Sequence, residues 1–158
     1  MPQNMLSQDP TTVLKTQSST VLYRNIETGL KIAQSVDCNA FIRDKIVPTV
    51  IADREIAIEK CHVRYATKNT KTEEYVSELT EQLRQGKSVV LFAYGPHIQR
   101  GVTILELVKT RWDAKEPLEQ QNTLDRFVNV VPGRNELLDR KLNVPILVSV
   151  LEMTTRGK

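Results

Sequence analysis

The chain has 158 residues, 40% hydrophobic and 26% charged, the composition of an ordinary globular domain with enough length for a core. Its two Cys exclude a disulfide framework and a Cys-rich zinc module, and no apolar run approaches the roughly 18 residues that span a bilayer. The net charge of +3, from 22 Lys and Arg against 19 Asp and Glu, is too small to demand a polyanionic partner.

Two Cys also fit a reducing compartment, and the first residues lack an apolar signal core, which points away from secretion. Residues 1–20 are polar and contain Pro2 and Pro10. Such a segment buries too little apolar surface to offset its ordering entropy and is expected to be a flexible tail. From Val21 to Val36 the apolar positions Val21, Leu22, Ile26, Leu30 and Ile32 fit helix and strand equally. Asp37 can cap a helix starting at Cys38, with Phe41, Ile42, Lys45 and Ile46 at helical spacing, and Pro48 is expected to kink or stop it. A loosely alternating strand is expected within Glu55–Ala66.

Thr70 and Glu73 have capping-box spacing ahead of an apolar stripe, Tyr75, Val76, Leu79 and Leu83, that predicts a helix ending at Gly86. Ser88–Tyr94, SVVLFAY, is a continuous apolar run, expected for a strand covered on both faces. Gly95-Pro96 marks a strand-to-helix turn. Ile98, Val102, Leu105, Val108 and Trp112 give a second amphipathic helix, apolar on most sides once Ile104 and Leu107 are counted. Leu124–Val131 and Leu142–Met153 read as two further strands. Pro145 cannot donate to a ladder, which predicts an edge position or a bulge for the last one. The order from Glu55 is strand, helix, strand, helix, strand, strand, which fits two helices on one face of a four-stranded mixed sheet. A right-handed crossover makes its first two strands parallel neighbours.

The basic residues fall in loops. Residues 60–72 hold Lys60, Arg64, Lys68 and Lys71 and no acid. Residues 84–111 hold Arg84, Lys87, Arg100, Lys109 and Arg111 against Glu106. The loop near Gly133 adds Arg134, Arg140 and Lys141 against Glu136 and Asp139. In the expected fold the loop after the first strand and the turn at Gly95 share one end of the sheet. A basic patch beside free helix N-termini attracts phosphates; solvated surface charge is the alternative.

Gly95 either lets a phosphate approach the backbone or only serves a tight turn, since neither GxGxxG nor a P-loop Lys accompanies it. His97 could act as a general base, a metal ligand or a phosphate contact. His62 is the only other His, so no metal is expected. No GxSxG or Cys–His motif is visible, and a hydrolase built on His97 has only Tyr94 or Thr103 nearby in sequence. No cofactor is implied. Cys38 and Cys61 read as small core residues, Trp112 as a helix-end packing residue, and Tyr65 and Tyr94 as core or base-stacking residues.

The element order, together with SVVLFAYGPHIQRGVTILELVKTRW as strand, glycine turn and long second helix, resembles the Alba superfamily. More narrowly, YGPHIQ, ILE, GRNEL and VPILV, in this order, are similar to the fungal Alba-type subunit of nuclear RNase P and RNase MRP. VLYRN and FIRDKIVPTV extend the similarity, so that it runs from about Val21 to Glu152. The resemblance implies an Alba-like domain over 55–153, followed by a short tail over 154–158; the N-terminal helical extension over 21–54, with its helix pattern at 38–51, is an addition to the minimal domain and is expected to pack on the sheet or on a neighbouring subunit. It implies a protein without chemistry of its own that pairs with a second Alba-type subunit. The heterodimer would clamp a helical subdomain of RNase P RNA and RNase MRP RNA, beside other protein subunits, in the nucleus and nucleolus. It would support tRNA 5′ processing and rRNA processing, and telomerase RNA is a further implied target.

Carried over residue by residue, RNA contact maps to Lys68 and Lys71, to Gly95, His97, Gln99 and Arg100, and to Arg134, Arg140 and Lys141. Ile98, Val102, Leu105 and Val108 are the expected dimer surface, because an apolar helix face left exposed marks an interface. Two departures from the archaeal pattern stand out. The loop after the first strand reads KNTK in place of paired lysines, and Pro96-His97 stands where Arg is common. Both weaken the alternative of a chromatin or duplex-DNA binding Alba protein.

Overall fold

A computed structural model describes residues 19–133 and 138–154. In chain order it holds β1 (Thr20–Tyr23), β2 (Ile26–Glu27), α1 (Ser35–Phe41), a π-helical turn (Ile42–Ile46) and α2 (Val47–Asp53). A 3-10 turn (Ile58–Lys60), β3 (Cys61–Tyr65), α3 (Thr72–Arg84) and β4 (Ser88–Tyr94) follow. A second 3-10 turn (Gly95–His97), α4 (Ile98–Arg111), β5 (Leu118–Val131) and β6 (Arg140–Met153) complete the order. The strand, helix, strand, helix, strand, strand succession is present. The sheet has six strands, not the expected four, in the order β2-β1-β5-β6-β4-β3. The two additional strands come from the segment whose apolar pattern fitted helix and strand equally. Of the tail expected over residues 1–20, residues 1–18 lie outside the described residues, as do the final residues 155–158, whereas Thr20 opens β1 and pairs with β5. Contacts divide the chain into two compact units, one within Met1–Cys38 and Arg126–Val144, the other within Asn39–Asp125 and Pro145–Lys158.

In the second unit β4 is buried throughout, as its unbroken apolar sequence requires. It pairs in parallel with β3, Cys61 opposite Ser88 through Tyr65 opposite Phe92. On its other side it pairs antiparallel with β6, from Val89 opposite Leu151 to Tyr94 opposite Ile146. Strand alternation sends Val89, Leu91 and Ala93 to one face. There they share a core with Val76, Leu79 and Leu83 of α3 and Ile104, Leu105 and Val108 of α4. Val90, Phe92 and Tyr94 point to the opposite face and are equally buried. In the same unit Ile42, Ile46, Val47, Val50 and Ile51 are buried along the helical segment, an apolar stripe outside the first core. The end of that segment is tied to the sheet by Arg54, which bonds Gln121 of β5 and lies 3.5 Å from Glu152 of β6.

Several local expectations change for identifiable reasons. The N-terminal helix begins at Ser35 rather than Cys38, and Asp37 lies in its first turn instead of capping it. Pro48 does not stop it. The π turn just before Pro48 sends the Val47 N–H to the Ile42 carbonyl, and the proline falls in the first turn of α2, where a missing N–H costs little. The Thr70–Glu73 capping box does not form: Lys71 is the N-cap without a side-chain bond, and Thr70 Oγ1 accepts the Thr67 N–H at 2.8 Å instead. Strand β3 starts only at Cys61, because a 3-10 turn takes Ile58–Lys60. Strand β6 is internal despite Pro145. Its pairing with β4 ends at Ile146, so the proline lies just past the ladder and withholds no bond from β4.

The stop at Gly86 is as read. Gly86 has φ +87°, its N–H bonds the Leu83 carbonyl at 2.9 Å, and the Lys87 N–H bonds the Gln82 carbonyl at 3.1 Å. This is a Schellman motif, which satisfies carbonyls that a helix end leaves open. Trp112 closes the far end of α4: its Nε1 donates to the Glu116 carbonyl at 2.7 Å, and the Arg84 guanidinium lies over its ring. Cys38 is buried, as expected of a core residue. In the first unit, Arg24 and Asn25 both have positive φ and turn β1 into β2 as a type I′ hairpin. Strand β1 pairs with β5, Thr20 opposite Val130, and Tyr23 meets Phe127 edge to face at 6.3 Å.

Two glycines separate backbone need from packing need. Gly86→Ala places a side chain at positive φ and is expected to destabilise the fold by about 1 kcal/mol or more. Gly101 lies inside α4, where an added Cβ would meet Ala93 and Ala66 at ordinary contact distances of 3.6 and 3.8 Å. Gly101→Ala is therefore expected to stabilise by roughly 0.5–1 kcal/mol through helix propensity. Urea unfolding of both variants reads the opposite signs.

Candidate nucleic-acid interface

Parallel strands bring the segments that follow them to the same end of a sheet. Here these are the loop 66–71 after β3 and the turn 95–97 into α4 after β4. Gly95 makes the second connection with φ +55°, a conformation that an L side chain resists. The loop's own bonds close it. Besides Thr67 N–H to Thr70 Oγ1, the Asn69 N–H reaches Thr67 Oγ1 at 3.2 Å and the Thr70 N–H the Thr67 carbonyl at 3.0 Å. Two side chains from across the turn hold it: the Lys68 N–H donates to His97 Nδ1 at 3.0 Å, and Arg100 Nη1 donates to the Thr70 carbonyl.

This arrangement joins Lys68, Lys71, Gly95, His97, Gln99 and Arg100. A cleft of about 440 Å³ is lined by Lys68, Thr72, Pro96, Gln99, Arg100 and Thr103. Lys68 and Lys71 are exposed. Among the described residues neither they nor Arg100 has an ion-pair partner. The neighbouring cations are neutralised. Arg64 meets Glu78 at 2.5 Å, Arg84 meets Asp113 at 2.8 Å, Lys109 meets Glu106 at 2.9 Å and Arg111 meets Glu73 at 2.7 Å. The first turn of α4 carries no acid, so the positive end of its dipole adds to the uncompensated charge. Glu73 and Glu74 offset that of α3.

His97 is committed by this geometry. Nδ1 accepts a main-chain hydrogen bond and so carries no proton, which leaves Nε2–H as the ring's donor. Its ring meets Tyr94 edge to face at 5.2 Å, and Tyr94 is buried. Burial, and secondarily the charge of Lys68, lower its pKa from the ordinary 6.5. The Thr103 hydroxyl donates to the Gln99 carbonyl at 3.0 Å.

The other expected residues are placed differently. Arg140 and Lys141 are exposed at the start of β6, in the other compact unit. Arg134 lies outside the described residues. Of the expected dimer surface, Leu105 and Val108 are instead buried in the core of this same chain, because β4 needs them as cover. Val102 is 43% exposed and Ile98 partly buried. Thr72 lines the cleft without a cue in the sequence, and Thr103, considered there only as a nucleophile for His97, lines it as well.

His62 belongs to a separate cluster. Its Nε2 lies 2.5 Å from Glu78, which also binds Arg64, and Arg64 stacks over the Tyr75 ring at 4.3 Å. Burial alone would raise the Glu78 carboxyl, but hydrogen bonds from His62 and Arg64 outweigh it and hold the group below its ordinary range. Cys61 is half-buried rather than a core residue, and burial, then Glu152 and Glu59, raise its thiol above the ordinary value. Among the described residues no group of three His, Cys, Asp or Glu is placed to hold a metal, and no helix is long and apolar enough to cross a membrane.

Neutral His97 is the form the fold prefers, so its contribution to stability is full above pH 6.5. That contribution is lost as pH falls through the lowered folded value. An NMR titration of the His97 ring should show a midpoint below 6.5, and His97→Ala should flatten the fall in stability over that window.

The Alba family model matches residues 62–127. In Saccharomyces cerevisiae, the Ribonucleases P/MRP protein subunit POP6 is 30% identical over 139 residues, which is 83% of this chain and 87% of that protein. Among solved structures, Alba from Thermoplasma volcanium aligns over 58% of this chain and 99% of that chain, at 18% identity and a TM-score of 0.42.

Proposed function

The chain belongs to the Alba family, and we propose that it is a non-catalytic RNA-binding subunit of the ribonuclease P and MRP particles. The observation that carries this reading is the relation to the yeast subunit over most of both chains. The loop end of the β3–β4 pair supplies the chemistry. Three cations without acidic partners, Lys68, Lys71 and Arg100, meet a sugar–phosphate backbone that offers charge and shape rather than readable bases. Gln99 and Thr72 add neutral polar contacts. Arg140 and Lys141, exposed at the start of β6, would form a further contact region together with Arg134. His97 Nδ1 is occupied by the main chain and the Thr103 hydroxyl is turned to its own helix, which favours binding over general-base chemistry.

In this reading the protein pairs with a second Alba-type subunit through the open part of α4, Val102 and Ile98. The pair holds a helical subdomain of the RNase P and MRP RNAs, with other protein subunits of the particle, in the nucleus and nucleolus. It thereby supports the maturation of tRNA 5′ ends and rRNA, and telomerase RNA is a further target.

Gentle purification of the tagged protein from its own cells, with sequencing of the bound RNA, tests the reading. One or two structured non-coding RNAs are expected, with a second Alba-type protein alongside. Recovery of bulk DNA or of no nucleic acid would overturn it. With the purified pair and a structured RNA, Lys68→Ala and Lys71→Ala should each lower the slope of log affinity against log salt by about 1. Lys109→Ala, whose ammonium is already paired with Glu106, should leave that slope unchanged. Val102→Asp should release the partner subunit, read by analytical ultracentrifugation.

A further inference from the structure

We propose that His97 is a positioning residue, which acts on RNA through the Lys68–Lys71 loop rather than by touching the RNA itself. The inference rests on the RNA-binding reading above. Four main-chain N–H groups, those of residues 67 to 70, shape the loop. Three find acceptors inside it: Thr67 on Thr70 Oγ1, Asn69 on Thr67 Oγ1 and Thr70 on the Thr67 carbonyl. Lys68 alone of the four reaches outside, to His97 Nδ1 at 3.0 Å. The loop is thus closed on itself and registered on the fold by two contacts from across the turn, His97 on an N–H and Arg100 on the Thr70 carbonyl.

The His97 side chain is suited to hold that register. It follows Gly95 and Pro96 in a 3-10 turn, and its ring leans on the buried Tyr94 at 5.2 Å. The bond falls on the main chain of Lys68 itself, so it fixes where that residue's exposed ammonium leaves the loop. As a direct ligand His97 would bring only an uncharged Nε2–H, a weaker phosphate partner than the two loop lysines.

The test uses the full chain and a fluorescein-labelled RNA hairpin. His97→Ala is expected to speed hydrogen exchange at the Lys68 amide by about tenfold or more while β4 amides keep their rates. Affinity should fall about fivefold, and the salt slope should shrink by about 1 as the Lys68 contact is lost. His97→Asn, whose Oδ1 offers an acceptor at the position of Nδ1, should restore both. Adding Lys68→Ala to His97→Ala should cost little more than either alone, since both remove one contact. Unchanged exchange at Lys68 overturns the proposal. So do additive losses with no rescue by Asn, which would make His97 a direct RNA ligand. If Lys68→Ala alone leaves affinity and slope intact, the RNA-binding reading of the loop fails, and the positioning role falls with it.

Discussion

The parallel pairing of β3 with β4 is the constraint on which the rest depends. Each of these strands is followed by a helix, and parallel alignment puts both helix starts at one end of the sheet. The loop from β3 and the turn from β4 then lie side by side, close enough for the Lys68 N–H to meet His97 Nδ1 at 3.0 Å. An antiparallel pair would have sent them to opposite ends. The site is therefore a product of topology. Residues 68 and 97 are far apart in the chain and adjacent in space for the same reason that α3 and α4 cover one face.

Charge on this fold is sorted. Arg64, Arg84, Lys109 and Arg111 have acidic partners of their own. Such exposed pairs contribute little to stability, but they cancel the field around them. Lys68, Lys71 and Arg100, beside the positive end of α4, have no such partner among the described residues. A net charge of +3 gave no hint of this, because a sum over the chain cannot report which cations already have acids beside them.

Much of the fold was legible in the sequence because its signals were local. The unbroken apolar run Ser88–Tyr94 marked a strand buried on both faces. The stripe Val76, Leu79 and Leu83 with Gly86 marked a helix and its stop. Lys68, Lys71, His97 and Arg100 could be tied to one end of a sheet once the strand order was read. The failures were non-local. Of the two extra strands at Thr20–Glu27, β2 pairs only with β1, and β1 owes its place in the sheet to β5, which short mixed sequence does not announce. Pro48 was tolerated because a π turn precedes it, a backbone choice without a residue signature. Thr70 could cap α3 or close its own loop, and the bond to Thr67 decided it. Leu105 and Val108 looked available to a partner because periodicity names an apolar face without saying what covers it.

The burial of β4 on both faces also governs how the chain is born. Its antiparallel partner, Ile146–Leu151, lies about 50 residues downstream of Tyr94, a delay of a few seconds at roughly 5–20 residues per second of synthesis. During that interval α4, which helps to cover Val89, Leu91 and Ala93, must emerge before that face closes. The nascent chain therefore carries an unpaired, wholly apolar strand edge, the kind of surface that recruits chaperones or other strands.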